Sequence, residues 1–203
     1  MTKLDELRRL VAGKSVMLVC HYDADGVCSG ALIYKLIQKH AAEVKTNSKG
    51  VVFRVEKKDI VGNPDIIICV DIHPSDELDP SKVIYIDHHP CDKADKYLYS
   101  IYNAETQSCS LLIWEELLQH DPSSNDPYLV FLTLLGYFGD GGEGDLMPIE
   151  LHVKANTMLK LNTKFGVHDL MQKKRSRYDD GYYYEIQRYV STLNVGKRMH
   201  WHG

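Results

Sequence analysis

A chain of 203 residues, 44% hydrophobic and 26% charged, has the make-up of an ordinary globular protein with room for one sizeable core or two small domains. No apolar run approaches the roughly 20 residues that span a bilayer, so no membrane partner is expected. A net charge of −4 argues against a broad, non-specific nucleic-acid binder, although it leaves room for a local basic groove.

Taken in order, Met1 to Arg9 reads as an amphipathic helix and not as a cleavable signal. The five cysteines (Cys20, Cys28, Cys69, Cys91, Cys109) show no CxxC spacing. Cys20 and Cys69 end apolar runs and read as reduced core thiols, which places the protein in the cytoplasm. Val16–Cys20 predicts a buried strand. It leads into His21-Tyr22-Asp23-Ala24-Asp25-Gly26, after which Ala31, Leu32, Tyr34, Leu36 and Ile37 recur at helical spacing. Val51–Val55 predicts a second strand. Asp65–Val70 is an apolar run ending at Asp71, and Lys82–Ile86 another, ending at Asp87-His88-His89. Tyr97–Ile101 predicts one more strand. Short, continuously apolar runs of this kind are strands of a parallel sheet covered on both faces. The expected fold class is therefore α/β, a doubly wound and mostly parallel sheet flanked by helices.

After residue 103 the pattern becomes helical. Thr106–Gln119 carries an apolar stripe. Asp126-Pro127 opens a helix over 128–138 that is apolar nearly all round, and weaker helical stretches cover 150–161 and 168–175. Residues 1–190 are expected to form one compact unit, strand-rich to about residue 104 and helical beyond it. Residues 191–203 are expected to be a linker, or the start of a second domain that is missing from a truncated piece.

Several strand ends deliver carboxylates or imidazoles: His21, Asp23 and Asp25, then Asp71, then Asp87, His88 and His89. Asp140 ends the buried helix in a Gly-rich turn. Any one of these is most simply a turn residue or a helix cap. Their recurrence at the carboxyl edge, where open α/β sheets bind ligands, points instead to a shared cation. Close like charges repel unless a cation neutralises them. Oxygen-rich ligands with imidazole suit Mn²⁺ or Mg²⁺, with Zn²⁺ or Co²⁺ as alternatives. A carboxylate that bridges two ions would serve displacement at phosphorus.

In order along the chain, HYDADG (21–26), CVDIHP (69–74), IDHHP (86–90) and GYFGDGG (136–142) resemble the four motifs of the DHH phosphoesterase superfamily. The likeness spans about residues 15–145 and implies a DHH-type N-terminal domain with two divalent ions, Mn²⁺ by preference. By that resemblance Asp23 and His21 serve one ion. Asp25, His88 and Asp140 serve the other, and Asp71 bridges them. Water activated between the ions would attack phosphorus. His89 would contact the scissile phosphate and donate a proton, and Asp87 would orient a histidine from behind. Residues 191–199 are similar to a stretch of the RecJ-type single-strand exonucleases that leads to their second, substrate-gripping domain. The likeness suggests Asn194 and Arg198 as substrate contacts, with a polar linker as the equal alternative. The basic run 173–177 and the tyrosines at 178 and 182–184 read as a solvated helix face followed by a packed aromatic helix; the alternative is a nucleic-acid groove.

The expected function is metal-dependent phosphodiester hydrolysis of single-stranded DNA or RNA. One alternative is action on oligoribonucleotides, 3′-phosphoadenosine-phosphate or cyclic dinucleotides. Another is a replisome scaffold on the same core, with a replication or repair protein as partner.

Overall fold

A computed structural model describes residues 1–50, 54–142 and 147–158. Helix α1 (Lys3–Val11) starts at a reciprocal cap. The Thr2 hydroxyl accepts from Asp5 N at 3.1 Å, and the Asp5 carboxylate accepts from Thr2 N at 3.0 Å. Its Leu4, Leu7 and Val11 are buried along one stripe. Strand β1 (Ser15–His21) then enters the sheet, followed by α2 (Ala24–Ile37) and β2 (Glu43–Lys49). Next come β3 (Arg54–Val55), β4 (Ile66–Val70), β5 (His73–Pro74), β6 (Val83–Asp87) and β7 (Tyr99–Tyr102). The described helical part comprises α3 (Cys109–Ile113), which continues as one π-helical turn over Trp114–Leu118, then α4 (Pro127–Gly139) and α5 (Ile149–Met158).

The main sheet has the order β2-β1-β4-β6-β7, and every pair in it is parallel. The three central strands are apolar on both faces, so successive residues feed two cores. On one face Val16, Leu18, Ile66, Ile68, Ile84 and Ile86 pack with α1, α2, α3 and α4. On the other, Met17, Val19, Ile67, Cys69, Val83 and Tyr85 meet Val55, Ile72 and Leu78. The parallel sheet flanked by helices is the fold class expected from the apolar runs. Cys20 and Cys69 are buried thiols, as their positions at strand ends predicted. No helix among the described residues is long and apolar enough to cross a membrane.

Three differences from the sequence reading exceed two residues; the strand expected over Tyr97–Ile101 is Tyr99–Tyr102. The second strand of the main sheet is Glu43–Lys49, a polar segment on the sheet's edge, where one side of the ladder faces water. Arg54 and Val55 are extended but pair with His73 and Pro74 in a separate two-stranded sheet; residues 51–53 lie outside the described residues. The helix expected over 106–119 begins at Cys109, because the Ser108 hydroxyl caps it by accepting from Leu111 N at 3.1 Å. The weaker helix expected over 150–161 is described as α5 up to Met158. The segments 168–175, 173–177 and 178–184 lie outside the described residues, as does the 191–203 stretch.

α4 meets α2 and α3 at small residues. A Cβ on Gly136 would stand 2.5 Å from Ser110 Oγ and 2.7 Å from Asp25 Oδ1. One on Gly139 would stand 2.6 Å from Ala24 Cβ. Gly136→Ala is therefore expected to overpack the seam, at a cost of about 1–3 kcal/mol. Thermal unfolding should show a fall in Tm of about 2–10 °C; an unchanged Tm would mean that the seam yields freely.

Candidate metal centre

Every side chain of the constellation sits at the carboxyl edge of the sheet or at a helix end facing it. β1 delivers His21, which is buried. Asp23 follows as the N-cap of α2, with Oδ1 accepting from Gly26 N at 2.8 Å. Its other oxygen, Oδ2, lies 2.5 Å from His21 Nδ1. One carboxylate thus both starts a helix and faces an imidazole.

Asp25 lies in the first turn of α2 and is 1% exposed. It accepts from Cys109 N at 2.6 Å, Ser110 N at 3.0 Å and Ser29 Oγ at 3.3 Å. The opening amides of α3 therefore cradle it. Burial still raises its pKa to about 6, against the Ser110 hydrogen bonds, and the nearby Asp140 charge adds to the rise.

Asp71 is the first residue after β4 and has φ 58°. The left-handed region is uncommon for a residue with a side chain, although aspartate tolerates it better than most. Its amide donates to Ile86 O at 2.9 Å, which pins the turn. The turn places its carboxylate between two groups. Oδ2 is 3.8 Å from His21 Nδ1, whereas Oδ1 is 3.5 Å from His88 Nε2 and 3.7 Å from His89 Nδ1. Burial and the charges of Asp25, Asp23 and Asp87 raise its pKa well above the usual carboxylate value.

β6 delivers Asp87, His88 and His89. His88 Nδ1 is 3.1 Å from Thr106 O, and a carbonyl can only accept, so Nδ1 carries the proton. Nε2 then points at Asp140 Oδ2 (3.4 Å), Asp71 Oδ1 (3.5 Å) and Asp25 Oδ2 (3.9 Å). Asp140 is the C-cap of α4, and burial raises its pKa, as does Asp23. Asp87 behaves differently: burial opposes its ionisation, but hydrogen bonds from the His89 side chain and amide prevail and lower its pKa. The same Asp87 bond raises the pKa of His89.

Potential ligand atoms fall into three groups, each within 4.8 Å: His21, Asp23 and Asp71; Asp25, His88 and Asp140; and Asp71, Asp87, His88 and His89. Neither Asp71 Oδ1 nor His88 Nε2 has a hydrogen-bond partner among the described residues, although both are buried. An orphaned imidazole nitrogen facing three carboxylates is an unfavourable arrangement without a positive charge between them. The donor set, oxygen-rich with imidazole, fits hard divalent ions such as Mn²⁺.

The family model for the N-terminal domain of the DHH family matches residues 15–136. The chain belongs to the DHH family. No curated protein sequence matches it significantly. The DHH fold also appears in three solved structures whose identity to this chain is low enough to speak for fold alone. The exonuclease RecJ bound to manganese is 18% identical with a TM-score of 0.57, covering 98% of this chain and 58% of its own. RecJ from Thermus thermophilus in complex with Mn²⁺ is 19% identical with a TM-score of 0.55, covering 97% and 32% respectively. An exopolyphosphatase-related protein from Bacteroides fragilis is 18% identical with a TM-score of 0.52, covering 89% and 64%. This DHH chain thus spans less than two thirds of each. Its fold is that of the DHH phosphoesterases.

The structure brings together His21, Asp23, Asp25, Asp71, Asp87, His88, His89 and Asp140. Asn194 and Arg198 lie outside the described residues. Sequence reasoning did not single out the groups that hold the cluster from behind: the Cys109 and Ser110 amides under Asp25, Thr106 O under His88, and the Tyr85 hydroxyl, 2.9 Å from Asp87 Oδ2. A signal for the amides existed in Ser108, a good N-cap residue two positions before Ser110.

Proposed function

We propose that this DHH domain is a metal-dependent phosphodiesterase that hydrolyses single-stranded nucleic acid. The observation that carries the reading is the Asp71 carboxylate. Its two oxygens face different ligand groups, His21 on one side and His88 on the other. In this reading His21, Asp23 and Asp71 would hold one divalent ion, and Asp25, His88 and Asp140 would hold the second, with Asp71 available to both. Mn²⁺ is the proposed metal, with Mg²⁺ or Co²⁺ as substitutes. When bound, such a pair lowers the pKa of water and neutralises charge that develops on phosphoryl oxygens.

The chain's own residues do the rest. Thr106 O fixes the His88 tautomer, and the α3 amides keep the Asp25 carboxylate turned towards the cluster. His89 is held through Nδ1 by Asp87, which leaves Nε2 to meet the scissile phosphate. One water oxygen bonds to phosphorus and releases a proton to solvent. The bond from phosphorus to the leaving oxygen breaks, and Nε2 of the His89 imidazolium gives its proton to that oxygen, to be reprotonated from solvent. Residues 1–190 constitute the catalytic unit in this proposal, with Asn194 and Arg198 reaching the substrate backbone.

The net charge of −4 favours a second substrate class within the same chemistry, since short oligonucleotides and small phosphodiesters need no long basic groove. The test is hydrolysis of a 5′-labelled single-stranded 30-mer and of a dinucleotide with Mn²⁺. Release of mononucleotides from the 30-mer supports the exonuclease reading. Cleavage of the dinucleotide alone moves the substrate to the short class. Inactivity on both, together with no heat of Mn²⁺ binding in titration calorimetry, overturns the enzyme reading in favour of a scaffold.

A further inference from the structure

Behind His89 a line of hydrogen bonds runs through residues outside the two proposed ion sites. Asp87 Oδ1 accepts from His89 Nδ1 at 2.8 Å and from the His88 and His89 amides at 2.7 and 3.0 Å. Asp87 Oδ2 accepts from the Tyr85 hydroxyl at 2.9 Å, and that hydroxyl also lies 2.9 Å from His73 Nδ1. A phenol has one proton to donate. The Tyr85 proton goes to Asp87, so His73 Nδ1 must donate to the Tyr85 oxygen. The protons between His73 and His89 then have a single arrangement, and each group fixes the next.

The line is anchored in rigid structure. Tyr85 is fully buried on β6, between β4 and β7, with Cys69 and Ser100 as its register partners. Its ring is flanked by those of Tyr97 at 5.3 Å, His73 at 5.7 Å and Tyr102 at 6.3 Å. His73 belongs to the two-stranded sheet, paired with Arg54. A phenol held on a central strand cannot swing, so it serves as a fixed post for the carboxylate it touches.

We propose that Tyr85, backed by His73, is a positioning pair for His89: it locks the Asp87 carboxylate so that the His89 Nε2 faces the leaving oxygen. The inference rests on the phosphodiesterase reading and on His89 as the proton donor within it. It adds two residues with no ligand or substrate contact of their own.

The test uses the full chain loaded with Mn²⁺, in the parent, Tyr85→Phe, Asp87→Asn and the double variant. Two substrates are compared: a dinucleotide, whose leaving alkoxide needs a proton, and thymidine 5′-p-nitrophenyl phosphate, whose leaving phenolate does not. Tyr85→Phe should lower kcat on the dinucleotide about 10–100-fold, the range usual for a group behind an active-site residue. The KM should change by less than about threefold, and the kcat loss on the nitrophenyl ester should be only about threefold, as expected of a group that acts in proton transfer. The double variant should lose no more than Asp87→Asn alone, because Tyr85 acts through that carboxylate. His73→Leu should show the same substrate pattern at smaller size, and it tests the line even where Tyr85→Phe folds poorly. Equal losses on the two substrates, additive losses in the double variant, or a dinucleotide rate within about twofold of the parent in both variants would overturn the inference alone. A parent inactive on both esters removes the underlying reading, and the inference with it.

Discussion

Asp71→Asn should abolish turnover and, in the metal-free protein, raise stability. Asparagine keeps the size and tolerates the φ of 58° that Asp71 adopts. It removes the one charge whose oxygens face both ligand groups, and it turns one of those oxygens into a donor. Loss of a shared ligand should lower kcat by at least about 10³-fold. The sign of the stability change follows from the direction of the Asp71 pKa. Burial and three neighbouring carboxylates raise it in the folded state. Folding therefore disfavours the ionised form, and the charge is destabilising everywhere above the unfolded value. A neutral side chain of the same shape should recover about 1–2 kcal/mol, within the range common when an active-site compromise is relieved. Hydrolysis assays with Mn²⁺ and thermal unfolding in EDTA measure the two effects. A variant that turns over like the parent would sink the shared-ligand reading. A variant that melts lower in EDTA would mean that the carboxylate is satisfied by protein alone.

The physical origin of this trade-off also explains how far the sequence can be read. The apolar runs at 16–20, 65–70 and 82–86 mark strands because a parallel strand covered on both faces leaves few polar positions. Acidic and imidazole groups at their ends fall at one edge as a consequence of parallel topology, so His21, Asp71 and His88 meet although far apart in the chain. Glu43–Lys49 carries no such signal. It is extended because β1 offers it a ladder, and only the pairing shows this. The supports of the site are hidden for the same reason. Ser108 marks a helix start, but nothing near Asp25 announces that the amides at 109 and 110 will cradle it. Tyr85 reads as one more apolar residue of β6 until its hydroxyl is found against Asp87. The Asp71 backbone is also invisible in the sequence, because aspartate occurs in ordinary turns and only sometimes adopts the left-handed region. Strand ends are local facts; what braces them is tertiary.

The metal-free protein should be more stable near pH 5 than near pH 7.5. Asp25 carries the argument. Its folded pKa is about 6 against an ordinary 3.8, a difference of about 3 kcal/mol at full ionisation. A raised carboxylate pKa means that the folded state holds its proton more tightly. The penalty is complete above about pH 6 and gone below about pH 4. Asp71 and Asp140 are raised too and act in the same direction. His89, held by Asp87, has a raised pKa; its contribution is present below the ordinary histidine range and is lost as pH rises through its folded value. His73, lowered chiefly by burial, opposes these as pH falls below the ordinary value. Asp87 is lowered, so its bonds persist until pH falls below the usual carboxylate range, where stability should drop again. Mn²⁺ should invert the profile. At pH 7.5 the cation offsets the repulsion among these carboxylates, so a saturating ion at about 100 times its Kd adds about 2.7 kcal/mol, or about 5–10 °C in Tm. At pH 5 protons compete for the same oxygens and the gain should shrink. Thermal unfolding at both pH values, in EDTA and in Mn²⁺, measures all four corners. A metal-free protein that melts higher at pH 7.5 than at pH 5 would show that these carboxylates meet no buried repulsion, and a Mn²⁺ gain of equal size at both values would place the ion elsewhere.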